Sequence, residues 1–350
     1  MKIDVLFENC DAVLITSPHN LQYFSGFAGG EGFCLLSHSS KTIFVDSRYT
    51  VEAVSECKGF EVVEFGGGNL YELITAQLNK ISAKVIAYEN LYLTVATFNQ
   101  MKDKLDGMSF IPLGDKADII RSIKTDEDIA LLRKAERIGD MAFKQVLPMI
   151  KLGMTENDLA AELEYQMRKS GASGTSFDTI AVSGKKTAMP HGRPDEKKLE
   201  YGDFVTMDFG CIYKGYCSDM TRTVVMGEAS SKQIEVYNTV LAAQLEGLKT
   251  IKAGVVAKDA DYAARRIIED AGYGSYFGHS LGHGVGLMIH EQPNLSPRSE
   301  TVLVPNMIVT CEPGIYISGF GGVRIEDMVA VKENGCENLT SSTKELIICG

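Results

Sequence analysis

Between Lys151 and Val331 the chain runs twice through one order of elements, and this repetition limits the possible folds more than any other feature. Lys151-x-Gly153, Asp158 and Gly171 align at a single offset with Lys252-x-Gly254, Asp259 and Gly272. Each set frames a helical stretch, NDLAAELEYQMRKSG in the first and KDADYAARRIIEDAG in the second. A histidine follows each helix, in PHG at 190–192 and in IHE at 289–291. Two strand-like segments follow each histidine: DFVTMDFG with SDMTRTVVM, then MIVTCEPG with GVRIEDMVAV. Four identities alone would be ordinary in any α/β protein. The recurring order of helix, histidine, acidic strand and acidic strand is what argues for an internal repeat.

Acidic residues are depleted from strands, so carboxylates inside apolar runs need a reason. Side-chain alternation puts Phe204, Thr206 and Asp208 on one face of DFVTMDF, and Asp219, Thr221 and Thr223 on one face of DMTRTVV. In the second set Glu312 closes IVTCE just before Pro313-Gly314, and Arg324 shares a face with Glu326. If each pair is a hairpin and the two hairpins lie side by side in a half-buried sheet, Asp208, Asp219, Glu312 and Glu326 converge. Two unit charges ~4 Å apart repel by about 4 kcal/mol even at an effective dielectric of about 20, so such a cluster requires protons or metal. Two divalent cations neutralise four carboxylates, and one imidazole can complete the shell. Singly, each acid could instead be a strand-end residue with its own Lys or Arg partner.

FGHSLGHGVGLMIHEQP, residues 277–293, holds three of the six histidines, His279, His283 and His290. Gly278, Gly282, Gly284 and Gly286 would each cost a helix roughly 1 kcal/mol relative to Ala, so the stretch reads as loop and strand. His290-Glu291 is followed by Pro293, which the zinc-binding helix of an HExxH peptidase would not tolerate. The glycines let the backbone fold closely around a site.

The first part of the chain reads differently. Apolar runs at 12–15, 33–36, 43–45 and 85–87 alternate with helical stretches near 48–56, 69–80 and 94–105, an α/β pattern. The polar passage GDKADIIRSIKTDED then leads into a long amphipathic helix from about Thr125 to Met149, with Asp126, Glu127 and Asp128 in its first turn. The expected domains are 1–118 and 119–350. A net charge of −11 without a Lys/Arg cluster argues against nucleic acid as a partner. No apolar run has the length of a membrane span, and the start of the chain does not read as a signal peptide. Eight scattered cysteines without CxxC pairs suit reduced thiols and a cytoplasmic location.

DFGCIYKGYCSDMTRT, FGHSLGHGVGLMIHE, CEPGIYI and GGVRIED resemble, in order and spacing, the signature segments of the metal-dependent Xaa-Pro peptidases, aminopeptidase P and prolidase. The resemblance runs from about residue 120 to the C terminus; before that it is looser, in ITSPHNLQYFSGF and FVDSRYT. It implies a small N-terminal creatinase-like α/β domain followed by a pseudo-two-fold pita-bread catalytic domain. It further implies metal ligation by Asp208, Asp219, His283, Glu312 and Glu326, with Asp219 and Glu326 bridging, and it marks His191, His279 and His290 as active-site histidines that do not bind metal. Met288 departs from the pattern, standing where such sequences often carry an acid.

The expected chemistry is hydrolysis by a hydroxide bridging two metal ions. Glu312 takes and returns the proton, His279 and His290 donate to the oxyanion, and His191 and Arg324 act on the substrate side. Arg324 can equally orient carboxylates. A shell of oxygens with one nitrogen favours Mn²⁺, with Co²⁺ or Zn²⁺ as alternatives. The reading favoured from sequence is an Xaa-Pro aminopeptidase acting on small peptides with proline in the second position, as a homodimer. The alternative is an Xaa-Pro dipeptidase, and less favoured is a metal-free peptide-binding relative. Methionine aminopeptidase fits worse, because its usual form lacks a separate N-terminal domain. His19 and His38 read as structural.

Overall fold

The structure, a computed structural model, describes residues 3–350. The chain forms two compact units, the first ending at Arg121 and the second spanning Ser122–Gly350.

In the first unit β1 (Ala12–Ile15), β2 (Phe33–Ser37), β3 (Lys41–Asp46), β4 (Glu61–Phe65), β5 (Val85–Tyr88) and β6 (Ser109–Pro112) form one sheet in the order β4-β3-β2-β1-β5-β6. Helices α1 (Pro18–Ser25), α2 (Thr50–Glu56), α3 (Leu70–Lys80), α4 (Val95–Lys104) and α5 (Lys116–Ser122) connect and follow the strands. The apolar runs read from sequence are the buried strands β1, β2, β3 and β5. The two strands that went unread, β4 and β6, are the sheet's edges. There β4 carries Glu61 and Glu64, and β6 ends on Pro112, as edge strands tolerate.

The second unit starts with α6 (Asp126–Val146) and α7 (Glu156–Lys169), each opened by a reciprocal capping box, Thr125 with Asp128 and Thr155 with Asp158. Strands β7 (Gly174–Thr175), β8 (Ile180–Ser183), β9 (Phe204–Phe209), β10 (Cys211–Tyr213), β11 (Tyr216–Cys217) and β12 (Met220–Met226) complete the first half. The second half contains α8 (Ser231–Thr250) and α9 (Ala257–Asp270). Its strands are β13 (Gly282–Gly284), β14 (Glu291–Leu295), β15 (Ile308–Cys311), β16 (Gly314–Ile317), β17 (Gly321–Arg324), β18 (Asp327–Lys332), β19 (Gly335–Asn338) and β20 (Ile348–Cys349). The two main sheets run β20-β12-β9-β8 and β14-β13-β15-β18-β19. No helix among the described residues is long and apolar enough to cross a membrane.

The sequence repeat is a repeat of structure. Gly153 and Gly254 both take positive φ, +80° and +84°, and their N–H groups donate to Leu199 and Leu303 carbonyls at the same 2.9 Å. Thr155 bridges Lys198 as Val256 bridges Val302. In the first half β9 and β12 pair antiparallel, with Asp208 opposite Thr221 and Thr206 opposite Thr223. The second half departs from expectation. GVRIEDMVAV is two strands, because β17 belongs to a ribbon with β16 while β18 pairs with β15. Nor do the two hairpins share a sheet; they touch at an isolated bridge between Thr221 and Glu326, where the chain leaves one strand for the next.

Candidate metal centre

Asp208 lies near the end of β9, Asp219 just before β12, His283 at the centre of β13, Glu312 just after β15 and Glu326 between β17 and β18. The structure brings all five to one cavity of about 730 Å³. Single ligand atoms of Asp219, His283 and Glu326 lie within 4.8 Å of one another. The glycines beside His283 let β13 pass between its neighbours. A Cβ at Gly282 would come within 2.1 Å of the Thr310 carbonyl oxygen, and one at Gly284 within 2.2 Å of that of Gln292. Gly278, by contrast, faces open space.

The donors fit cations. His283 Nδ1 sits 3.1 Å from the Gly284 carbonyl oxygen, which can only accept, so Nδ1 carries the proton and Nε2 presents a lone pair. That lone pair faces Glu312 Oε1 at 3.3 Å and Asp219 Oδ2 at 3.5 Å, acceptor against acceptor. Asp208 Oδ1 is buried without a partner. Burial holds the carboxyls of Asp219 and Glu326 above their usual range, reinforced by the neighbouring acids, and raises Glu312 to about 8. Burial also lowers His283 to about 4, so the imidazole does not neutralise the cluster. Divalent ions resolve all of these conflicts together.

A set of protein hydrogen bonds aims the acids. Arg324 donates from Nη2 to Asp208 Oδ2 at 2.6 Å, from Nε to Thr221 Oγ1 at 3.0 Å, and from Nη1 to Tyr316 Oη at 2.8 Å and the Pro190 carbonyl at 3.3 Å. Thr221 Oγ1 donates to Glu326 Oε2 at 2.6 Å, and Thr310 Oγ1 to Glu312 Oε1 at 3.1 Å. Buried Glu136 on α6, its carboxyl raised to about 8 by desolvation, accepts from the Asp219 N–H at 3.2 Å.

His191 and His290 line the cavity with exposed rings, and the His290 ring lies 4.3 Å from that of His283. Burial, with His191 adding to it, lowers the pKa of His290. His279 is placed differently. Its Nδ1 is 2.8 Å from the Ser280 carbonyl oxygen and its Nε2 2.9 Å from Tyr316 Oη, so Nδ1 donates and Nε2 accepts. The hydrogen bond to substrate expected of His279 therefore has no free N–H in this arrangement. Likewise Arg324 is 4% exposed, and its bonds to Asp208 and Thr221 fit the carboxylate-orienting role rather than a substrate terminus.

Besides Glu136, Thr221 and Thr310, Tyr316 and Arg298 had no role assigned from sequence. Tyr316 sits in CEPGIYI and is identifiable only as part of that motif. Arg298 lines a second cavity of about 480 Å³ with Arg265, Phe277 and Ser296. His279, Ser280 and Asn294 border both cavities. Among the described residues no acid pairs with Arg298, and nothing in its sequence surroundings marks it.

Residues 130–333 match the model of metallopeptidase family M24. The chain belongs to metallopeptidase family M24. Residues 8–123 match the creatinase/prolidase N-terminal domain that accompanies the M24 domain here. The M24 chain is 40% identical over 339 residues to a Xaa-Pro dipeptidase of Pyrococcus furiosus, covering 96% of this chain and 95% of that one. Its fold superimposes on a Xaa-Pro dipeptidase from Bacillus anthracis with a TM-score of 0.95 at 44% identity, covering 99% and 98% of the two chains. An X-Pro aminopeptidase from Thermotoga maritima gives 0.93 at 41%, covering 97% and 98%. The catalytic domain thus has the pita-bread fold.

Proposed function

We propose that this M24 metallopeptidase hydrolyses Xaa-Pro dipeptides, and that Asp208, Asp219, His283, Glu312 and Glu326 are the residues that would hold two divalent cations. Bound there, the cations would make water nucleophilic near neutral pH and polarise the scissile carbonyl. The chain's own groups supply the rest. Glu312, which lines the cavity, takes the proton of the attacking water and passes it to the tertiary nitrogen of proline, which leaves only when protonated. His290 and His191, with rings open to the cavity, donate hydrogen bonds to the substrate carbonyls. His279, tied at both nitrogens, forms a fixed wall. Arg324 holds Asp208 in register.

The observation that carries the dipeptide reading is Arg298. A guanidinium without an acidic partner among the described residues, in a cavity that shares His279, Ser280 and Asn294 with the one holding the carboxylate cluster, suits a free carboxylate. In a dipeptide that group is proline's own, two bonds from the scissile nitrogen. In a longer peptide an amide takes its place. Dipeptidases of known sequence and structure at 40–44% identity support the same choice over the aminopeptidase favoured from sequence. Mn²⁺, a homodimer and a cytoplasmic location belong to the same proposal, supported by the oxygen-rich donor set, the family resemblance and eight unbridged thiols.

The test is kcat/KM for an Xaa-Pro dipeptide against the same dipeptide extended by several residues. The dipeptide should be favoured by about a hundredfold, about 2.7 kcal/mol of transition-state binding. Equal values would return the assignment to an aminopeptidase, and indifference to proline would overturn both.

A further inference from the structure

Lys124 and Glu291 form an ion pair at 2.5 Å with both side chains 2% exposed. Neither is among the groups that face the substrate or the carboxylate cluster. Lys124 lies on the segment leading into α6, which is fixed along its length. Its Nζ also donates to the Ser122 carbonyl at 3.2 Å, its N–H donates to the Asn306 carbonyl at 3.0 Å, and Ile123 bridges Met307. Glu291 opens β14 and follows His290 directly.

The loop 285–290 joins β13 to β14, closed at its base by the pairing of Gly284 with Glu291. Gly286 turns within it, its N–H donating to the Met288 carbonyl at 3.0 Å while its own carbonyl accepts from Cys217. The Glu291 carboxylate folds back onto this turn so closely that a Cβ at Gly286 would meet Oε1 at 2.2 Å. Lys124 therefore pins the carboxylate against the loop that ends in His290.

Stability does not account for two ions in such a place. Desolvating a buried pair costs about as much as its attraction returns, and well-packed apolar side chains do as well or better. What charged partners add is direction: a short, charge-assisted hydrogen bond holds one geometry where methyl groups would slide. We propose that the Lys124–Glu291 pair is the positioning element for His290, anchoring its loop to the segment that enters the catalytic unit. This rests on His290 acting on the substrate as described above.

The test is the double variant Lys124→Met/Glu291→Met, which removes both charges of the pair at similar length. It should fold with a thermal midpoint close to that of the parent and keep KM, while kcat falls by about a hundredfold, as a misplacement of about 1 Å can cost. Placed on His290→Ala, the same two changes should lower kcat no further, since both act through one group. Should the double variant not fold, Glu291→Asp keeps both charges and retracts the carboxylate. It should lower kcat at unchanged KM and be silent on His290→Ala. Parental kcat in either variant, or a loss that multiplies onto that of His290→Ala, overturns the inference. If His290→Ala itself keeps full kcat, the role proposed for His290 fails first. If His290→Ala is impaired while the folded double variant is not, only the positioning role fails.

Discussion

Replacing Arg298 by leucine removes a guanidinium on which no acid among the described residues depends, so the change isolates its effect on substrate. Hydrogen bonds to a charged group contribute about 1.5–3 kcal/mol. Arg298→Leu should therefore lower kcat/KM for an Xaa-Pro dipeptide by about 10- to 100-fold, mostly through KM, and leave the thermal midpoint and the slower cleavage of an extended peptide nearly as they were. An equal loss on both substrates would detach Arg298 from the free carboxylate. Arg324, of the same residue type, is tied to Asp208, Thr221 and Tyr316. Sequence marks Arg324 through its place beside Glu326 and leaves Arg298 unmarked, but what each guanidinium binds is set by what surrounds it. For the same reason His279 and His290, both drawn from one glycine-rich stretch, part company: one has both nitrogens bonded and the other faces the cavity.

Among the elements, the start of β18 does most to place the acids. Asp327, fully buried, accepts from Arg222 at 2.8 Å, Lys344 at 2.7 Å, Gln244 at 2.9 Å and Asn338 at 2.7 Å. Arg222 on β12 in turn donates to the carbonyls of Thr221 and Glu326, at 2.9 Å and 2.6 Å, at the point where the two sheets touch. Burial pulls the Asp327 carboxyl upward, but Arg222 and Lys344 outweigh it and hold it below its usual range. Asp327→Ala leaves the buried Arg222 cation uncompensated, which should destabilise the protein by about 3–5 kcal/mol in chemical denaturation. A loss below about 1 kcal/mol would show that the network is not what fastens the sheets. Side-chain alternation placed Asp208 with Thr206, and Asp219 with Thr221, because a strand's period is local. It could not show that RIED breaks between two strands, because that break is set by which partner strand each side finds.

For the molecule as a whole, the acid cluster links stability to pH and to metal. Glu312 moves from an ordinary 4.5 to about 8 and Glu136 likewise, with Asp219 and Glu326 shifted in the same direction. A carboxyl with a raised folded pKa binds more protons folded than unfolded, so its contribution is complete below about 4.5 and is lost as pH rises towards 8. His279 and His283, lowered from 6.5 to about 4, act in the opposite sense, but their gain is finished by about 6.5. Between pH 6.5 and 8 the chelated protein should therefore lose thermal stability, and Mn²⁺ at pH 8 should restore it, as calorimetry would record. A midpoint that rises over this range without metal would contradict the charge cluster.

The sequence by itself determined the duplicated plan, the α/β character of both units and the strand faces that carry the acids, because each follows from a period or a repeat carried by neighbouring residues; His283 was singled out by the family resemblance. Tertiary structure alone decided that Arg298 stands beside the cavity without an acidic partner among the described residues, that Tyr316 ties His279 to Arg324, that Glu136 holds the Asp219 backbone, and that Lys124 meets Glu291. Those residues come from loops, strands and a helix face, most of them far from their partners along the chain. Their roles depend on burial and on which polar atoms lack other partners, and neither property exists until the sheets have packed.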